Sequence, residues 1–153
     1  MCENVSIANA TFDDVEEILA LLSRVDLPPD GVAENVEGFL LARDNTSQLV
    51  ATIGLERHGN VGLLRSAAVT PEFQRSGIGS LLTKHLLERA AKEGVERVVL
   101  LTTTARDFFA SRFGFSETPR NAFDEALASS SEWNLPRCSS AVCMSLNLGS
   151  CSC

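Results

Sequence analysis

The segment from Val69 to Leu86, VTPEFQRSGIGSLLTKHL, limits what this chain can fold into more than any other. An apolar strand end passes through a proline and two glycines, Gly77 and Gly79, into a helical pattern whose apolar face is Ile78, Leu81, Leu82 and Leu86. Glycine accepts positive φ and lets another group come close to the main chain, so glycines at a strand-to-helix turn offer several N–H groups to one ligand. That is the description of an anion cradle. The helix pattern ends at Gly94 and VERVVLL follows as a buried strand, which makes the region from Leu63 to Leu101 a βαβ crossover with two parallel neighbours.

The flanking segments fill in the rest of the sheet. VSIANA reads as a first strand, and Thr11 with Asp14 has the spacing of a capping box ahead of a helix whose core face is Val15, Ile18, Leu19 and Leu22. DLPPDG ends that helix, a stretch through Glu37 is a candidate second helix, and GFLLAR is a strand stopped by DNTSQ. LVATIGLERH and VGLLRSAAV flank GN as a hairpin. Further on, ARDFFASRF reads as a helix closed by Gly114 and Phe115, and Met144, Leu146 and Leu148 alternate with Cys143, Ser145 and Asn147 as a last strand. PRNAFDEALASSSEWN has no readable period, and no repeat or linker divides the chain. The expected fold class is α/β, one domain over residues 1–148 with a mixed, mostly antiparallel sheet of about seven strands, and a Cys-containing tail over 149–153.

A chain of 153 residues can bury one real core. Its net charge of -7 argues against nucleic acid or an anionic membrane as the main partner, so an anion must be bound by local charge. No apolar run approaches the roughly 20 residues of a membrane span, and MCENVSIANA lacks the order of a signal peptide, which makes the cytoplasm the expected compartment. The five cysteines, Cys2, Cys138, Cys143, Cys151 and Cys153, lack two CxxC pairs and a nearby histidine, so neither a disulfide framework nor a metal site is expected. GSCSC is either a frayed terminus or a soft-metal ligand.

The glycine turn is not a P-loop, because no Gly-Lys-Ser/Thr follows, and not a dinucleotide fingerprint, because position 82 is Leu82. Gln74, Gly77 and Gly79 instead match Gln/Arg-x-x-Gly-x-Gly/Ala, and in that setting the chain resembles the GNAT N-acetyltransferase superfamily over nearly its whole length. LLRSAAV, LLTTTARDFF and LPRCSSAVCM look like the arsenic-operon N-acetyltransferases within it. LTTTA with the following FF and GF is also similar to the acetyltransferase domain of N-acetylglutamate synthases.

The resemblance implies acetyl transfer from acetyl-CoA, the expected co-substrate, to a small amine acceptor with amino-acid character, and a homodimer is compatible with it. N–H groups near Ala67, Ala68 and Val69 would pair with pantetheine and polarise the thioester carbonyl. Amides of Arg75, Ser76, Gly77, Ile78, Gly79 and Ser80 would take the pyrophosphate, with side-chain donors from Gln74 and Arg75. Arg65 and Ser66 fall on the acceptor side, where an Arg fork can hold a carboxylate; the other reading is an Arg snorkelling to solvent or paired with Glu56 or Glu72. Thr102 and Thr103 leave the fifth strand within reach of acceptor or pantetheine, and Phe109 packs the core with one wall toward CoA.

Glu56 is the candidate general base, the alternative being a solvated hairpin carboxylate beside Arg57. His58 is expected to be exposed at the turn and His85 to pack at the core margin. The family's tyrosine acid is missing, since the chain contains no tyrosine and Phe109 stands near that site, which leaves Ser111 or water to assist the thiolate. The competing class is a non-catalytic CoA-binding module that senses thiol reagents through its cysteines.

Overall fold

The computed structural model describes residues 5–135 and 141–148. Strands β1 (Ser6–Asn9), β2 (Phe39–Arg43), β3 (Leu49–His58), β4 (Val61–Val69), β5 (Arg97–Thr102), β6 (Ser116–Glu117) and β7 (Val142–Asn147) hydrogen-bond in the order β1-β2-β3-β4-β5-β7-β6. Helices α1 (Val15–Arg24), α2 (Ile78–Lys92) and α3 (Arg106–Phe113) complete the regular structure. This is the expected mixed α/β fold. β4 and β5 run parallel, as the crossover requires, while β1-β2, β2-β3, β5-β7 and β6-β7 are antiparallel. Among the described residues no helix is long and apolar enough to cross a membrane.

Packing groups the described residues into two compact units, 5–55 with 65–89 and 56–64 with 90–135 and 141–148. In the first, Thr11 and Asp14 form the expected capping box, with the Thr11 N–H donating to Asp14 Oδ2 at 2.8 Å. The box opens a short 3-10 turn, Phe12–Asp14, that leads into α1. α1 buries Ile18, Leu21 and Leu22 against Val32, Val36, Phe39, Leu41, Leu49 and Ala68. Arg43 at the end of β2 reaches Asp14 at 2.9 Å and Glu17 at 2.8 Å and fixes the start of α1 to the sheet. The Thr11 N–H, ahead of the Arg43 guanidinium, holds the Asp14 carboxyl below the usual carboxylate range; hydrogen bonding from Arg43 does the same for Glu17. Arg89 of α2 donates to the Gly38 carbonyl at 2.7 Å and to Asn9 Oδ1 at 3.1 Å, tying that helix to β1 and the start of β2.

The candidate second helix is instead a 3-10 stretch, Ala33–Gly38. Asn35, at φ -118 and ψ 17, leaves helical geometry, and with its single turn on each side no α-helical ladder can propagate.

In the second unit the aperiodic segment proves to be structural. It opens with a 3-10 turn, Arg120–Phe123, and sends Phe123, Leu127 and Trp133 into a core with Leu63, Val99 and Cys143. Trp133 Nε1 donates to Asp124 Oδ1 at 3.1 Å, and the Arg120 guanidinium lies 4.6 Å from the Trp133 ring centroid. Strand β6, two residues long, has no sequence signal of its own and forms because β7 offers it an edge. α3 ends at Gly114, whose φ of 79 allows the left-handed turn that brings Phe115 back onto Phe109 at 5.5 Å.

Candidate acetyl-transfer site

The predicted site residues fall into two groups, one in each unit. In the first unit β4 carries Arg65 to Val69, and the glycine turn follows. β4 pairs with β5 from Val61 to Leu63, and Ser66 has a left-handed φ of 59 in the middle of the strand. A left-handed non-glycine residue inside a strand costs of order 1–3 kcal/mol, and such strain clusters at functional positions. Ala67 is exposed, Ala68 is buried and Val69 is half-buried. Thr70 is 3% exposed and donates its N–H to Val50 O at 2.8 Å.

Beyond Thr70 a 3-10 turn, Pro71–Phe73, leads to an extended Gln74, then to Arg75 at φ 68 and Gly77 at φ 92. Gln74 Nε2 donates to Val69 O at 3.0 Å, so this side chain ties the turn to β4. The Ser76 N–H is spent on Phe73 O at 3.2 Å, whereas among the described residues the N–H groups of Gly77, Ile78 and Gly79 have no main-chain acceptor. They are the orphan donors of the α2 N-terminus. No acidic residue stands in the first turn of α2, so the positive end of its dipole is not neutralised there. Ser80 is half-buried next to them, and Arg75 is exposed.

Gly79 supplies a test of fit. A Cβ added there would touch only Val69 Cγ2, at 3.8 Å, an ordinary contact. The fold therefore does not demand glycine at this position.

Arg65 is 2% exposed, with Nε donating to Ser66 Oγ at 2.9 Å and an Nη to Pro28 O at 3.3 Å. The snorkelling alternative is thus excluded by burial. Glu72 pairs instead with Arg24, at 3.5 Å.

In the second unit Glu56 is 1% exposed, and its Oε1 lies 3.1 Å from His58 Nε2. The solvated carboxylate alternative is overturned, because β3 is buried continuously from Leu49 through Glu56. His58, expected at the surface, is half-buried by that partnership. His85, expected at the core margin, is exposed, because Leu82 and Leu86 turn inward and leave it on the outer side of α2.

Thr102 Oγ accepts the N–H groups of Thr104, at 3.3 Å, and Ala105, at 2.9 Å, and so shapes the entry to α3; Thr103 is exposed. Phe109 is buried in edge contact with Phe108 at 5.0 Å. Ser111 is exposed and its hydroxyl donates to Asp107 O at 2.7 Å, which leaves its proton committed to the helix. Sequence reasoning missed the Glu56–His58 pair; two polar residues two apart on a strand share a face, and that spacing was the available signal. Among the described residues no cluster of metal-ligating side chains occurs.

Residues 9–115, well over half of the chain, match the model of the acetyltransferase (GNAT) family. An amino-acid acetyltransferase from Ralstonia nicotianae is 30% identical over 121 residues, 69% of this chain and 25% of that protein, so the chain spans about a quarter of the length of the curated relative it matches. Rv2747 from Mycobacterium tuberculosis, crystallised in complex with CoA, has a TM-score of 0.75 at 24% identity and covers 93% of this chain and 98% of its own. N-acetylglutamate synthase from Neisseria gonorrhoeae, complexed with coenzyme A and L-arginine, has a TM-score of 0.76 at 22% identity, over 94% of this chain and 33% of its own. Those two structures share the fold, and the family model adds the relationship by sequence. The chain belongs to the acetyltransferase (GNAT) family, a family of acyltransferases.

Proposed function

We propose that this protein transfers the acetyl group of acetyl-CoA to the amino group of a small, amino-acid-like acceptor, by direct attack in a ternary complex. The observation that carries the reading is the cradle. Among the described residues Gly77, Ile78 and Gly79 present N–H groups without a main-chain acceptor at the start of α2, and a Cβ at Gly79 would meet only Val69 Cγ2, at 3.8 Å. Family membership supports acetyl-CoA as the ligand, and in this reading its pyrophosphate is taken by these donors with Arg75, Ser76 and Ser80 beside them.

The chemistry follows from the other positions. N–H groups at Ala67 to Val69 polarise the thioester carbonyl and stabilise the oxyanion that forms as the amine lone pair attacks. Glu56 takes the proton that the ammonium form of the acceptor must lose, because a protonated amine has no lone pair. The C–S bond then breaks, and CoA leaves as a thiolate, which needs no obligatory acid because a thiol has a pKa of about 8.5. Arg65 and Ser66 hold a carboxylate of the acceptor, with the guanidinium plane set by Pro28 and Ser66. The Ralstonia relative, an amino-acid acetyltransferase, supports the acceptor class.

The resemblance of LLRSAAV and LLTTTARDFF to arsenic-operon acetyltransferases adds a proposed link to metalloid resistance; LPRCSSAVCM lies partly outside the described residues. A thiol-sensing module is disfavoured at Cys143, which is buried and whose thiol is pushed up to about 11 by burial, so little thiolate exists there near neutral pH. Cys2, Cys138, Cys151 and Cys153 lie outside the described residues.

The deciding experiment is release of free CoA from acetyl-CoA across amino acids, metalloid-bearing amino-acid analogues, simple amines and a Lys peptide. Turnover confined to acceptors with an acid group supports the reading, equal turnover of amines without one removes the acceptor class, and none with any amine removes the enzyme.

A further inference from the structure

A carboxylate that takes a proton in each turnover must also release it, and Glu56, 1% exposed, has no direct access to bulk water. The groups next to it lead outward. Its Oε1 lies 3.1 Å from His58 Nε2, the His58 side chain is 16% exposed, and His58 Nδ1 lies 3.4 Å from Oγ of the exposed Ser129. All three belong to the same compact unit. They form a graded series from fully buried to open.

We infer that Glu56 exchanges protons with solvent through His58 and Ser129. The path rests on the proposed reading of Glu56 as the base. The proton lost by the acceptor ammonium reaches Glu56 and passes from Oε1 to the Nε2 lone pair of His58, whose Nδ1–H donates to Ser129 Oγ. The imidazolium so formed gives its Nδ1 proton through the Ser129 hydroxyl to water. Water-assisted exchange between the tautomers of the neutral ring, one proton added at Nδ1 and one lost from Nε2, then returns a lone pair to Glu56. One proton enters at Glu56, one leaves at Ser129, and nothing is oxidised or reduced. Imidazole suits the position because one ring nitrogen can take up a proton while the other gives one up.

Among the described residues the ring pairs with Glu56, from β3, and with Ser129, from the segment after the Arg120–Phe123 turn. Arg57 turns toward Gly94, where an added Cβ would lie 3.9 Å from its guanidinium, and Glu96 accepts from Asn60 Nδ2 at 3.0 Å. Neither bonds to His58.

The test is the pH dependence of CoA release at low buffer concentration for wild type, Glu56→Gln, His58→Gln and His58→Ala, the last with and without added imidazole. His58→Gln keeps an amide beside Glu56 but cannot relay, and is expected to lose about tenfold or more in kcat with KM retained. His58→Ala is expected to lose as much and to recover with imidazole, which a merely structural loss would not do. A kcat within about twofold of wild type in His58→Gln, or a loss in His58→Ala that imidazole leaves unchanged, overturns the path while a slow Glu56→Gln keeps the base. Full activity in Glu56→Gln, or no CoA release from wild type with any amine, overturns the base and the path together.

Discussion

Gly79 and Val69 meet across the glycine turn at ordinary contact distance: a Cβ on Gly79 would stop 3.8 Å from Val69 Cγ2. Other glycines in the same unit differ. At Gly38 a Cβ would fall 2.1 Å from the Leu55 carbonyl oxygen, and at Gly54 2.6 Å from the Phe39 ring. Those two are glycine because the protein is packed against them, whereas no such clash requires glycine at position 79.

Gly79→Ala should fold normally, since alanine is the better helix former and its methyl meets no close atom. Gly79→Asp adds a like charge to an anion site and should abolish acetyl-CoA binding. In a thermal-shift assay wild type should gain about 2.7 kcal/mol at a hundredfold excess of acetyl-CoA over its dissociation constant. No gain in wild type, or the same gain in Gly79→Asp, would remove the cradle assignment.

Arg65→Lys keeps the charge but loses the planar fork that bonds Ser66 and Pro28. The Michaelis constant for an acidic acceptor should rise and kcat change little. Steady-state kinetics with an acidic acceptor and a simple amine separate the two cases; a defect equal for both would point to lost packing of a buried residue.

Glu56→Gln should lower turnover by about 10² to 10⁴ and flatten the acidic limb of the rate profile. Ser111→Ala should cost little, because that hydroxyl already donates to Asp107 O. With no tyrosine in the chain, the wild-type rate should rise with pH and level off without the descending limb a catalytic phenol would impose near its pKa of about 10. A descending limb that vanishes in Ser111→Ala would reverse this assignment.

The carboxyls of Asp14 and Glu17 are both held below the ordinary range, by Thr11 and by Arg43. Groups with a lowered folded-state pKa stabilise the protein above their unfolded-state values, about 4, and that stability is lost as the pH falls through the lower folded-state values. Arg43→Ala should therefore cost about 1 kcal/mol at neutral pH, a figure already reduced for solvent screening of side chains 20% and 51% exposed, and should flatten acid unfolding. Urea titrations of both proteins at pH 7 and pH 3 check this; equal differences at the two values would refute it.

Much of this architecture can be read locally. The 3.6-residue period of α1 and α2, the glycine-asparagine turn between β3 and β4, and the strand-glycine-helix order around Gly77 each depend on residues near one another in the chain. The segment from Pro119 to Asn134 could not be read that way. Its apolar residues, Phe123, Leu127 and Trp133, follow no helical or strand period because turns, not a regular ladder, bring them to one core.

The sequence by itself determined where the glycine turn stands, that a parallel crossover contains it, and that no tyrosine is present among its residues. Those properties depend on residue identity and short-range spacing. Only the tertiary structure decided which polar groups are withdrawn from water: Arg65 against Pro28, Glu56 against His58, Ser111 against its own helix, and His85 left outside. Burial is a sum over distant segments packing at one place, and a hydrogen-bond partner is chosen among whatever that packing brings within about 3 Å, so neither is encoded in the neighbourhood of the residue itself.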